Sequence, residues 1–201
     1  MPLRFAPADA HARPLHVVDS EGCEAWLAAQ HGPTQAWVRA NGFTGAAGAT
    51  LLLPGTDGAV VAAVTGLGTA QDAVRRRFTL AAARAALPEG AWSLQGGLSG
   101  VALDEAALGW LLAGYRFGKY AKSEPPKAEL VAPDGVDAPR LEAIAAGEAL
   151  TRDLINTPTA DMGPAALEQA VRDLATRHGA TIAVTRGDDL LTQNFPMIHA
   201  V

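Results

Sequence analysis

The side chains that could do chemistry in this chain are few and scattered. Its five histidines are His11, His16, His31, His178 and His199, and no two stand four residues apart. There is no His-Glu-x-x-His, so a metal site cannot be read from their spacing. His199 lies in an apolar stretch and reads as a core histidine. The single cysteine, Cys23, supports neither a disulfide framework nor a cysteine-based zinc site. With Trp26 and Leu27 at i+3 and i+4 it reads as a small hydrophobe on a short helix, in keeping with a reducing compartment. Gly96-Gly97-Leu98-Ser99-Gly100 approaches the nucleophile-elbow pattern without meeting it. The adjacent carboxylates Asp104-Glu105 and Asp188-Asp189 fall at expected helix starts, where they complement the helix dipole. One stretch has a fitting place for an anion. Gly66-Leu67-Gly68-Thr69-Ala70-Gln71-Asp72 follows an expected strand and precedes an expected helix, where free N–H groups can face a ligand. Gly66 and Gly68 are therefore a candidate anion-binding turn. The third glycine of the dinucleotide fingerprint is missing, and a tight strand-to-helix turn explains the pair as well.

The elements that must hold these residues alternate. Strands are expected at 15–18, 36–40, 50–53, 59–65 and 91–95, and a short edge strand at 128–132. Helices are expected at 21–29, stopped by Gly32-Pro33, and at about 71–87 and 103–118. The buried stripe expected over 71–87 is Val74, Phe78, Ala81, Ala82 and Ala85. The basic run Arg75-Arg76-Arg77 would fan around that helix rather than form a stripe. Residues 118–139 hold all three lysines and four of the thirteen prolines, which marks a boundary. A helix at 139–155 follows, with Ala143, Gly147, Leu150 and Leu154 on one side. Asn156–Gly163 breaks it, and Gly163-Pro164 opens a further helix that ends at His178-Gly179. Residues 181–185 read as a strand, 188–193 as a helical turn or two, and 195–201 as another strand. Alternation of this kind predicts an α/β fold with a mostly parallel sheet. The expected organisation is an N-terminal α/β domain over 1–138, a linker helix and loop over 139–163, and the first elements of a second α/β domain over 164–201.

Composition narrows the class. With 49% apolar and 18% charged residues among 201, the chain is an ordinary globular one. A net charge of −5 with only three lysines makes a poor nucleic-acid binder. No secretory leader is visible at the N-terminus, and no apolar run approaches a membrane span.

Residues 152–201, from Arg152-Asp153-Leu154-Ile155-Asn156-Thr157-Pro158 through Asp161-Met162-Gly163-Pro164 to the apolar 195–201, resemble the junction region of the M17 leucyl (cytosol) aminopeptidases. Ala160 stands where that family more often has Asn. Residues 110–120 are similar to the family's Gly-x-Tyr-x-Phe-x-x-Tyr segment. The resemblance implies a macro-domain-like N-terminal sheet flanked by helices, and a cytoplasmic, hexameric enzyme that removes N-terminal residues from peptides. It implies two divalent metals, manganese or zinc, in a second domain, with a lysine and an arginine assisting. The family's metal-ligand motifs lie beyond the strand with which this sequence ends. No catalytic or metal-binding residue is therefore carried onto this chain, and Asn156, Thr157, Pro158, Asp161, Met162, Gly163 and Pro164 are expected to be interdomain-junction residues. The expectation is an N-terminal portion of a longer aminopeptidase, inactive alone, with an apolar surface over 164–201 that promotes self-association. The alternative is a stand-alone macro-like module that binds a nucleotide or ADP-ribose.

Overall fold

The computed structural model describes residues 3–75, 77–122 and 124–201. The chain divides into two compact units, Met1–Asp153 and Leu154–Val201.

In the first unit five strands form one sheet: β1 (Arg13–Val18), β2 (Thr50–Pro54), β3 (Val60–Gly66), β4 (Gly90–Gln95) and β5 (Ala128–Leu130). Their order is β2-β3-β1-β4-β5. β1 pairs in parallel with β3 and β4, and β4 with β5; only β2 and β3 are antiparallel. That last pair is a hairpin whose turn is tied by Gly55 N–H to the Ala59 carbonyl (2.7 Å) and by the Ala59 N–H to the Asp57 carboxylate (3.0 Å). The sheet is buried on both faces, which is why β3 reads as a continuous apolar run rather than an alternation. Val18, Ala62 and Val64 face one side, with Leu27 of α1 (Cys23–Ala28) and Val38 of α2 (Gly32–Ala40). Leu15, Val17, Ala63 and Trp92 face the other, with α4 (Leu80–Ala86) and α5 (Gly100–Ala113). A third cluster joins Ala107 and Leu111 of α5 to Leu3 and to Leu141 and Ala145 of α6 (Ala138–Asn156). The mostly parallel α/β reading is thus what the structure shows.

Several local expectations are corrected. Residues 36–40 belong to helix α2, not to a strand. Gly32-Pro33 opens that helix, because proline suits a first turn whose N–H groups have no intrahelical partner. The expected helix at 71–87 is two helices, α3 (Ala70–Arg75) and α4. Between them Phe78 takes φ +60°, and its Cβ sits where a side chain on Gly109 would lie, 2.6 Å away. Docking on α5 here overrides helical continuity. The buried face of α4 is Leu80, Ala83 and Arg84, not the stripe through Ala81, Ala82 and Ala85. Arg76 and the side chains of Val74 and Arg75 lie outside the described residues. On α6 the packed residues are Leu141 and Ala145, while Ala143 and Gly147 are exposed.

The second unit holds α7 (Pro164–His178), α8 (Asp189–Thr192) and α9 (Pro196–His199). α7 begins after an extended Gly163 and ends at a left-handed Gly179 (φ +63°), as the sequence predicts. Residues 181–185 are not a strand, and 196–199 are a helical turn. A strand is held by its neighbour's backbone. Among the described residues neither segment has a neighbouring strand. No helix among the described residues is long and apolar enough to cross a membrane.

Candidate functional site

The parallel strands bring the two glycine-rich turns together. Val18 pairs with Gly66 and His16 with Gln95, so Gly66–Asp72 and Gly96–Gly100 both leave the carboxyl edge of the sheet beside β1. There the chain order passes from one side of β1 to the other, the usual place for a ligand in an open α/β sheet. In this protein the chain itself fills the place. Gly66 N–H donates to the Ala49 carbonyl (2.8 Å), Leu67 to Val18 (2.8 Å) and Gly68 to Gly45 (2.8 Å). Thr69 N–H donates to the Asp72 carboxylate at 3.0 Å. Each of the four consecutive N–H groups from Gly66 to Thr69 is thus donated within the chain. Phe78 plugs the adjacent crevice, leaving a cavity of about 110 Å³ lined in part by Leu67, Leu98 and Ala106. Small-molecule sites run to roughly 300–1,000 Å³. Arg77, at the rim, pairs with Glu105 at 2.5 Å.

The junction residues form the turn between α6 and α7. Asn156 ends α6, and Thr157 is buried. The Pro158 carbonyl accepts from the N–H groups of both Asp161 and Met162, each at 2.9 Å. Gly163 caps α7, its carbonyl accepting from Leu167 N–H, and Pro164 fills the first helical position. Beyond this turn α7 is amphipathic. Glu168 pairs with Arg172 (2.8 Å) and with Arg186 (3.7 Å). Leu167, Val171 and Leu174, at i, i+4 and i+7, stay 48%, 47% and 37% exposed. Val171 and Leu174 line a groove of about 500 Å³ with Ala175, His178 and Ile182. Phe195, Met197 and Ile198 are exposed as well.

Among the described residues no three His, Cys, Asp or Glu side chains gather as metal ligands. The described side chains do not fit a two-metal centre. His16 packs against Trp26 with ring centres 5.5 Å apart and planes tilted by 52°, and burial holds its pKa below the ordinary value. Cys23 is buried, and its thiol pKa is raised by burial first and then by Glu24 and Asp19, which makes it a poor nucleophile. One buried charge escaped the sequence reading. Arg84 lies on the packed face of α4, where a charge inside an alanine-rich helix hides the true stripe.

Residues 13–133 match the model of the "M17 aminopeptidase, N-terminal domain" family. The chain is 34% identical over 160 residues to a "Probable cytosol aminopeptidase" of Aeropyrum pernix, which covers 77% of this chain and 32% of that protein. Its fold superposes on the crystal structure of the cytosol aminopeptidase of Coxiella burnetii with a TM-score of 0.84 at 29% identity, over 96% of this chain and 41% of the other. It also matches the bottromycin maturation enzyme BotP, with a TM-score of 0.66 at 26% identity over 90% and 41% of the two chains. BotP has been solved in complex with Mn as well. This chain thus spans about a third of its curated relative and about two fifths of these solved structures.

Proposed function

The chain belongs to the M17 aminopeptidase family, as its N-terminal part, and from that premise we propose that it serves a metal-dependent leucyl aminopeptidase. The whole enzyme would hydrolyse N-terminal residues from peptides at a pair of divalent metals, manganese or zinc. The metals would activate water and polarise the scissile carbonyl. Their ligands would come from a catalytic domain of which 164–201 are the first elements, with 139–163 as linker. The 201 residues alone would be inactive. Cytoplasmic location and hexameric assembly complete the proposal, with no membrane or nucleic-acid partner. The reading rests above all on the superposition across 96% of this chain onto a cytosol aminopeptidase more than twice its length. The uncovered apolar face of α7 supports it, as a surface against which further chain would pack.

The stand-alone nucleotide or ADP-ribose module gains no support from the relatives found, and the filled crevice at Gly66 and Phe78 speaks against it. Sequencing the coding DNA past the Val201 codon tests the proposal. Continuation into the family's Asn-Thr-Asp-Ala-Glu-Gly-Arg-Leu signature is expected; an immediate stop codon would overturn it. The 201-residue protein with Mn²⁺ should release no p-nitroaniline from leucyl-p-nitroanilide above the metal-only control.

A further inference from the structure

Arg84 is 8% exposed, and among the described residues no carboxylate stands within ion-pair distance of it. Its Nε donates to the Ala128 carbonyl at 3.1 Å, and Nη1 donates to the carbonyls of Trp110 (2.7 Å) and Leu111 (3.3 Å). The guanidinium thus ties the negative end of α5 to the start of β5. Those bonds use part of its five N–H groups. Nη2 makes no hydrogen bond to any described residue and lies against Gly114, where a Cβ would come within 3.1 Å of it and 2.6 Å of Nη1. The missing side chain keeps that flank of the cation open. Arg84 and Gly114 both line a cavity of about 530 Å³, within the range of small-molecule sites. Leu3, Phe5 and Pro125 give it an apolar wall. Glu129, the residue after the carbonyl that Arg84 Nε grips, lines it too. At the rim Lys127 and Glu89 pair with each other at 3.8 Å.

A buried cation with no carboxylate in direct ion-pair contact is costly, and a ligand that supplies that contact is favoured. A guanidinium flank suits a carboxylate. Burial lowers the Arg84 pKa and Glu129 pushes it back up, so the two charges sense one another. An inorganic anion would meet Glu129 as a repulsion and leave the apolar wall bare. A zwitterion with an apolar side chain answers all three features.

We propose that this cavity is a binding site for a free apolar α-amino acid. Its carboxylate sits on Arg84, its ammonium on Glu129, and its side chain lies against Leu3, Phe5 and Pro125. The site stands apart from the proposed hydrolase chemistry and does not depend on it.

Titration calorimetry on the 201-residue protein tests it with L-leucine, leucinamide and N-acetyl-leucine. Leucine should bind saturably, and each analogue, lacking one charged end, should bind at least about tenfold more weakly. Arg84→Gln should abolish binding. Because that variant also loses carbonyl contacts and can unfold, exposed Glu129 supplies a second one. Glu129→Gln should weaken leucine about tenfold and should not weaken N-acetyl-leucine, whose carboxylate it no longer repels. No saturable leucine binding, leucinamide binding as tightly as leucine, or full affinity in Glu129→Gln would each overturn the proposal.

Discussion

Gly66→Ala separates a packed turn from a ligand cradle. A Cβ at residue 66 would lie 2.1 Å from the Ala46 carbonyl oxygen and 2.4 and 2.5 Å from the Gly45 carbonyl carbon and oxygen. All three are backbone atoms, so no side chain can rotate away. The obstructing loop is itself pinned to the turn, by Gly66 N–H to Ala49 (2.8 Å), Gly48 N–H to Gly66 (3.0 Å) and Gly68 N–H to Gly45 (2.8 Å). Moving the loop breaks those bonds, and keeping it leaves the clash. Overpacking costs about 1–3 kcal/mol, and each lost hydrogen bond adds about 1 kcal/mol. With two bonds lost, the sum is roughly 3–5 kcal/mol. For a chain of this size that lowers Tm by roughly 6–20 °C. Thermal unfolding followed by circular dichroism at 222 nm reads it directly. A variant that melts within about 2 °C of the parent would show that residues 45–49 do not close over the turn as described.

Four further outcomes follow from the same geometry. Gly147→Ala should raise stability by about 0.5–1 kcal/mol, because the position lies inside helix α6 on its exposed side with nothing within 4 Å of its Cβ direction; a loss in urea unfolding would contradict this. Leu80→Ala, at a fully buried position of α4, should cost about 2–5 kcal/mol in the same assay, and a loss below about 1 kcal/mol would mean the helix is mispacked. The lowered His16 pKa favours the neutral ring in the fold, so the unfolded chain binds the proton first as pH falls. Stability should therefore be full above the ordinary value of 6.5 and drop as pH falls from there through the folded value, and the urea midpoint of His16→Gln should lose that dependence. Val171→Glu, on the uncovered face of α7, should reduce self-association in sedimentation velocity; unchanged boundaries would clear that face of the role.

The sheet was legible because parallel strands buried on both faces announce themselves as short apolar runs. Leu15–Val18 and Val60–Thr65 needed no more than that. Helices α6 and α7 were legible from their ends: each has proline in its first turn, α6 is followed by Thr157-Pro158, and α7 by Gly179. Helix α2 was not. Its five clearest residues, 36–40, fit both a strand and a helix, and Gly32-Pro33 marks a start as readily as a stop. The break at Phe78 depends on Gly109, thirty-one residues away, and no local pattern records such a contact. The turns at Gly66 and Gly96 were visible as turns. That the donors of the Gly66 turn are already engaged depends on residues 18, 45 and 49. The Arg84 cavity is drawn from the N-terminal segment, α4, the end of α5 and β5, so it had no signature in any one stretch.

The two units diverge from their sequence patterns in different ways, and the difference bears on function. In the first, one expected strand is helix α2, one helix becomes two and a stripe rotates, yet the core still closes around Leu15, Trp92 and Trp110. In the second, residues 181–185 and 195–201 carry strand patterns and form no strand, while α7 has no fully buried residue. A strand pattern describes a neighbour as much as a segment, since the ladder needs a second backbone and the apolar side chains need a second layer. Both demands go unmet together, on the unit that also leaves Leu167, Val171 and Leu174 uncovered. Under the proposed function the catalytic domain supplies both. Adding that chain should convert 181–185 and 195–201 to strand and bury α7. Amide hydrogen exchange reads this as slow exchange over those two segments in the longer protein and fast exchange in the 201-residue one. Equal, fast exchange in both would break the link between this unit and a catalytic domain.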